Sequence, residues 1–185
     1  MDHYLEIQLL ADPEFPAPIL MNALFAKLHR VLVQRENKRI GISFPTATPN
    51  HLGQRLRLHG TAAELDGLMA QPWLKGMRDH TEVSAIVNVP GNAQHIRVQR
   101  MQAKSSAERL RRRYLHRHPG TTEEEVRNLI PGMVEKKLNL PYLRLKSTSS
   151  GQDFALFLQQ SQAGQPVAGE FNGYGLSRTA TVPWF

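Results

Sequence analysis

Apolar and polar side chains alternate along Tyr4-Leu5-Glu6-Ile7-Gln8-Leu9, the period of a strand with one buried face. Asp12 to Pro16 breaks that period, and from about Ala17 to Gln34 Leu20, Leu24, Leu28, Val31 and Leu32 recur on one helical face, with His29 at its polar edge. Further strands are expected at Arg39 to Phe44 and Arg55 to His59. Thr61 followed by Glu64 has capping-box spacing and opens a short helix through Leu65, Leu68 and Met69 that stops before Pro72, and Val83 to Val89 reads as a fourth strand. The order strand, helix, strand, strand, helix, strand predicts a ferredoxin-like α+β sandwich. RNA-recognition modules share this architecture, but their aromatic-rich strand signature is missing, so fold alone says nothing of a ligand.

Pro90-Gly91-Asn92 is the expected boundary, giving residues 1–91 and 92–185 as two domains. Beyond it Ile96 to Gln102 alternates as a strand, and Ser105 with Glu108 starts a helix from about Ser106 to His118. At about 100° per residue, Arg109, Arg112, Arg113, His116 and Arg117 fall in one arc, while Ala107, Leu110 and Tyr114 form a narrow stripe opposite. Thr121 to Glu125 caps another helix, and a short one follows Pro131 through Leu138. Leu143 to Ser147 and Phe154 to Leu158 flank a hairpin turn at Thr148 to Gln152; Gly169 to Gly175 and Val182 to Phe185 close the chain. The fold class expected is therefore α+β: an N-terminal ferredoxin-like (RRM-like) domain plus a smaller α+β C-terminal domain carrying an arginine-rich helix.

Charge sharpens this picture. Of the net +7, residues 1–94 contribute nothing, with nine Lys/Arg against nine Asp/Glu, whereas residues 95–185 hold fourteen against seven. Glu108 is the one acid between Arg97 and His118, so the arginines repel one another unless an anion lies in front of them. Phosphate is the natural match, because guanidinium forks fit its oxygens and each neutralised phosphate releases counterions. A solvated helix face is the plainer alternative, although such faces usually mix signs. No apolar run approaches the length of a membrane span, and the start resembles no signal segment, so a cytoplasmic protein without a membrane partner is expected. The chain of 185 residues, 41% hydrophobic, suffices for one domain or two small ones. It has no cysteine, which excludes disulfides, thiolate zinc sites and cysteine nucleophiles.

Few other chemistries survive. His116 and His118 would point about 200° apart on a helix, with no carboxylates beside them, so no metal is expected. The glycine-rich segment lacks the Lys-Ser/Thr ending of a phosphate-binding loop, so no nucleotide cofactor is expected either. Without a metal, phosphodiester cleavage is open to RNA, whose 2′-hydroxyl can attack the adjacent phosphorus. That needs a base, a group to orient the hydroxyl, and charge stabilisation. Histidine is the usual base. Among eight histidines the pattern chooses none: His29 reads equally as an ordinary solvated helix residue, and Ser147 and Ser149 as turn hydroxyls.

Longer motifs narrow the choice. Met1-Asp2-His3-Tyr4-Leu5, Asp12-Pro13-Glu14-Phe15-Pro16, Phe25-Ala26-Lys27-Leu28-His29, Gln102-Ala103-Lys104-Ser105, Glu108-Arg109-Leu110-Arg111-Arg112-Arg113, Tyr174-Gly175-Leu176-Ser177 and Val182-Pro183-Trp184-Phe185 together resemble the CRISPR type I-F repeat-processing endoribonuclease family, in order and along the whole chain. The resemblance implies a metal-independent endoribonuclease. Its arginine-rich helix would enter the major groove of a short CRISPR-repeat stem-loop, and cleavage at the 3′ base of the stem would leave a 2′,3′-cyclic phosphate on a retained crRNA product. It also implies His29 as general base, Ser147 holding the 2′-hydroxyl and Tyr174 orienting the histidine. Arg100 and Gln102 would read base edges and Phe154 would stack under the last pair. Arg109, Arg112, Arg113, His116, Arg117 and His118 would lie along the RNA, and further subunits of a type I-F RNA-guided surveillance complex would be partners. The alternative is a hairpin-holding crRNA subunit with little or no turnover. His116 stands where the compared member has arginine, which implies a weaker, pH-dependent phosphate contact, and the turn after Phe44 is shorter. A long A-form duplex would keep side chains out of its deep major groove; a stem of a few pairs is open at its ends.

Overall fold

The computed structural model describes residues 1–36, 38–102, 107–130, 138–147 and 151–185, with the backbone alone for 107–109. Strand β1 (His3–Leu9) buries Leu5, Ile7 and Leu9 on one face, as its alternation requires. It is flanked on one side by β3 (Arg55–Gly60), which pairs in turn with β2 (Gly41–Ser43). On its other side lie β4 (Thr81–Val83) and β5 (Val87–Asn88), and every one of these pairings is antiparallel. The strand order is therefore β2-β3-β1-β4. The expected strand from Val83 to Val89 is two short ones, because at Ser84 a side chain replaces the ladder: the Glu6 amide donates to Ser84 Oγ (2.8 Å), while the Ser84 amide donates to the Glu6 carbonyl (2.9 Å).

Helix α1 spans Ala17–Gln34, the bounds expected, and buries Leu20, Met21, Leu24, Phe25, Leu28, Val31 and Leu32. Helix α2 (Ala62–Met69) starts where Thr61 accepts the Glu64 amide, and it buries Leu65 and Leu68. With Leu56 and Leu58 of β3 these residues belong to one apolar core. About 25 cal/mol per Å² of buried apolar surface is the main force holding helices to sheet.

The second sheet has the order β7-β8-β6-β9, formed by β6 (Gln94–Met101), β7 (Tyr142–Lys146), β8 (Asp153–Ala163) and β9 (Val182–Trp184). Strand β9 carries Pro183 at the sheet's edge, where a missing amide costs no ladder bond. By contacts the chain forms one unit of residues 1–100 and 140–185 and another of 101–139, a grouping different from the division after Gly91. Hydrogen bonds explain why the C-terminal segment groups with the first residues. Gln160 on β8 gives its amide nitrogen to the Phe44 carbonyl and takes the Phe44 amide, while the Ile42 amide donates to Gly175 and the Phe171 amide to Lys38.

The second unit holds α3 (Ala107–Arg117) and α4 (Glu123–Leu129), the latter begun by a reciprocal capping box of Thr122 and Glu125. Those hydrogen bonds hold the Glu125 carboxyl below its usual range. The chain is thus mixed α+β, with four α-helices and two antiparallel sheets among the described residues. None of these helices is long and apolar enough to cross a membrane.

The polar face of the first sheet is where the pattern misled most. Tyr4, Glu6 and Gln8 stand opposite His59, Arg57 and Arg55, and His59 is wholly buried. Its Nε2 shares a hydrogen bond with Ser43 Oγ at 2.8 Å, and no partner reaches Nδ1 among the described residues. Burial first, and then the Arg57 guanidinium, push the imidazole pKa down from 6.5 to about 3. The folded state thus binds fewer protons than the unfolded one between those values, and stability is full above pH 6.5 and lost as pH falls. As pH falls from 6.5 to 5, urea unfolding should show a stability loss from this residue that steepens toward about 1.4 kcal/mol per pH unit, and His59→Gln should flatten that slope. An unchanged slope would show that this imidazole is not what titrates.

Candidate functional site

Helix periodicity places Asn22, Ala26 and His29 along one side of α1, since seven residues are two turns. Asn22 Oδ1 accepts the Arg144 amide at 2.9 Å and so fixes α1 against the edge strand β7. That strand delivers Ser147 at its end. The Ser147 amide donates to the Gln152 carbonyl (2.8 Å) and the Gly151 amide to the Ser147 carbonyl (2.9 Å), which closes the hairpin. Residues 148–150 of the expected turn, Ser149 among them, lie outside the described residues.

A third segment comes from the C-terminal part of the chain. Asn172 Oδ1 accepts the amides of Tyr174 and Leu176, and the Asn172 carbonyl accepts the Gly175 amide, winding the chain into a tight loop. Gly175 has φ +71°, and a Cβ there would stand 2.7 Å from Ile42 Cγ2. At Gly173 a Cβ would stand 2.7 Å from Val33 Cγ2, so glycine alone lets this backbone lie against α1. The result is a direct contact: the Gly173 carbonyl lies 2.8 Å from His29 Nδ1. A carbonyl only accepts, so Nδ1 carries the hydrogen, and a neutral imidazole then keeps its lone pair on Nε2. The Tyr174 ring stacks on the imidazole with centroids 4.0 Å apart and planes 12° from parallel, and Phe25, one turn earlier on α1, backs the Tyr174 ring at 6.3 Å.

His29, Ser147 and Tyr174 line one cleft of about 650 Å³, all three half-buried. Its walls are α1, through Ala26, His29 and Arg30, and the β7–β8 hairpin, through Leu145, Lys146, Ser147, Gln152, Asp153 and Phe154. Arg100 at the end of β6 lines it as well, its guanidinium carbon 5.8 Å from the centre of the Phe154 ring. The cleft thus offers a base, a hydroxyl, an aromatic face and three cations. The expected residues His29, Ser147, Tyr174, Arg100 and Phe154 are brought together. Asn22, Asn172 and Gly173, which hold them, were not read from the sequence; the glycines flanking Tyr174 were the available signal of a close backbone approach.

Gln102 is exposed just past β6. In the other unit, Arg112, Arg113, His116 and Arg117 are exposed on α3, as is His118 beyond it. Leu110, Arg111, Tyr114 and Leu115 are half-buried, so the seated stripe is broader than expected. Arg111, which lies off the expected arc, donates its Nε to the Ile130 carbonyl at 2.9 Å. The His118 ring sits 4.4 Å from the Tyr114 ring. Arg109 lies in the first turn, its side chain outside what is described, and the expected cap at Ser105 also lies outside the described residues, as does the helix expected after Pro131 up to residue 137.

A mixed α+β protein with a basic cleft around a stacked histidine and a separate row of exposed arginines is the class these features define. Residues 4–185 match the family described as CRISPR-associated protein (Cas_Csy4), and the chain belongs to it. It is 48% identical over 189 residues to "CRISPR-associated endonuclease Cas6/Csy4" of Pseudomonas aeruginosa (strain UCBPP-PA14), and 47% identical over 186 residues to the protein of the same name from Escherichia coli (strain UTI89 / UPEC). Each alignment covers the whole of both chains. The family expected from the motifs is the one found.

Proposed function

We propose that this protein is a metal-independent endoribonuclease that cuts CRISPR repeat RNA at the 3′ base of a short stem-loop and retains the crRNA. The observation carrying this reading is the Nδ1 hydrogen bond from His29 to Gly173, which leaves Nε2 as a base in the cleft that Ser147 also lines. His29 Nε2 takes the proton of the 2′-hydroxyl, Ser147 orients that hydroxyl, and Tyr174 fixes the imidazole plane by stacking. Oxygen 2′ bonds to phosphorus as the bond to the 5′-oxygen breaks, leaving a 2′,3′-cyclic phosphate. The relatives' names, which say endonuclease, support a nuclease reading.

Arg100 suits guanine O6 and N7, and Gln102 adenine N6 and N7, while Phe154 stacks beneath the last base pair. Arg109, Arg112, Arg113, His116, Arg117 and His118 meet the backbone of the hairpin, in the domain of residues 92–185; His29 belongs to the domain of residues 1–91. The strand order β2-β3-β1-β4 with α1 and α2 between the strands supports a ferredoxin-like arrangement for that first domain. The protein works in the cytoplasm beside other subunits of a type I-F RNA-guided complex.

Labelled repeat RNA incubated with excess protein in EDTA should be cleaved, and the same RNA with 2′-deoxyribose at the scissile nucleotide should bind and survive. RNA that is held but never cut would leave a hairpin-holding subunit in place of an enzyme. Equal affinity for duplex DNA would point to a general basic protein. For Arg113→Ala, the slope of log affinity against log salt should become shallower by about one unit, with weaker binding. A slope unchanged from the parent would mean that Arg113 meets no phosphate.

A further inference from the structure

Internal attack on an RNA phosphodiester passes through a five-coordinate phosphorus whose non-bridging oxygens gather negative charge. Preorganised cations or donors aimed at those oxygens are usually the largest single aid to such a reaction. His29, Ser147 and Tyr174 provide a proton acceptor, a hydroxyl and a ring, and Arg100 lies by the Phe154 ring. None of the roles assigned so far neutralises the reacting phosphate.

The two other cations lining the cleft come one from each wall. Arg30 follows His29 on α1, and its Nε donates to the Ala26 carbonyl at 3.2 Å, one turn back on the cleft side. That bond uses Nε alone, so the N–H groups of both terminal nitrogens are not spent on it. Lys146 immediately precedes Ser147 and is exposed, alternating with the buried Leu143 and Leu145. Asp153 stands opposite Lys146 in the ladder, yet among the described residues neither Lys146 nor Arg30 makes an ion pair. Two cations, adjacent in sequence to the base and to the hydroxyl and lacking counterions, suit a phosphate held between them.

We propose that Arg30 and Lys146 grip the non-bridging oxygens of the scissile phosphate and stabilise the charge that builds there. This inference rests on the endoribonuclease reading. The proton still passes from the 2′-hydroxyl to His29 Nε2, and the departing 5′-oxygen takes its proton from water. The two cations move no proton.

The test uses the full chain and a repeat hairpin carrying either ribose or 2′-deoxyribose at the scissile nucleotide. Arg30→Gln and Lys146→Gln should each slow single-turnover cleavage about 10- to 100-fold, a share of the 10²- to 10³-fold typical of an oxyanion donor. Affinity for the uncleavable 2′-deoxy hairpin should stay within about twofold. Arg30→Lys and Lys146→Arg should recover most of the rate, which a purely structural role would not require. Gln variants that cleave as fast as the parent, or that lose affinity in step with rate, overturn the inference while the parent's cleavage stands. A parent that leaves repeat RNA intact in EDTA overturns the endoribonuclease reading and this inference with it.

Discussion

His29→Ala should cut the rate of repeat-RNA cleavage by about 10²- to 10⁴-fold, the range that general acid–base catalysis by one side chain supplies. Affinity for the same hairpin should stay within about threefold of the parent. The split follows from where the residue sits. Its imidazole is tethered by its own Nδ1 to the Gly173 carbonyl and stacked on the Tyr174 ring, so removing it takes away a proton acceptor without touching α3, whose exposed cations lie in the other unit. Gel-resolved single-turnover kinetics alongside filter binding would measure both quantities on one preparation. Unimpaired cleavage by the variant would end the role proposed for this histidine. Parallel loss of binding would show instead that the imidazole holds RNA.

The largest effect on stability is expected from Glu6→Ala, at about 3–5 kcal/mol, the cost of leaving a buried charge without its partner. Arg57 is 5% exposed, and its Nε and Nη2 both donate to Glu6 Oε1, at 2.9 and 2.7 Å. Arg55 adds a longer contact of 3.4 Å to the other carboxylate oxygen. Around the same guanidinium, the Phe185 ring lies 3.9 Å away and the Tyr4 ring 5.1 Å, and Phe185's carbonyl accepts Nη1. Aromatic faces attract the cation but do not replace a carboxylate. Arg57→Met in the Glu6→Ala background should recover much of the loss, because no charge is then left behind. A urea-derived loss below about 1 kcal/mol for Glu6→Ala would show that the rings and the carbonyl suffice.

These two positions also mark how far the sequence could be read. Local pattern was enough for α1, whose apolar repeat sets both its length and the place of His29 at the margin of the buried face. It was enough for α3, where four exposed basic residues fall on the arc expected of them. Motifs carried the grouping of His29, Ser147 and Tyr174, which periodicity alone left open among eight histidines. What stayed illegible is made by contacts distant in sequence. The Gly173 carbonyl meets His29 across 144 positions, and Gln160 meets Phe44 across 116. Arg57 and His59 alternate with Leu56 and Leu58, a pattern that ordinarily marks the solvent side of a strand, yet both are buried, Arg57 with its guanidinium against the Phe185 ring and His59 bonded to Ser43. The single strand expected at Val83 to Val89 failed because a serine hydroxyl can substitute for a backbone partner, and the apolar pattern carries no trace of that exchange.

The interruption at Ser84 bears on how the molecule behaves in company. A long, flat outer strand offers a row of open amides and carbonyls to any neighbour, and such rims seed aggregation. Here the rim is three residues, a notch, then two, with Glu6 already satisfied from within. A second chain finds no continuous template along that edge of the first sheet, so pairing of two copies there would stop after a few bonds.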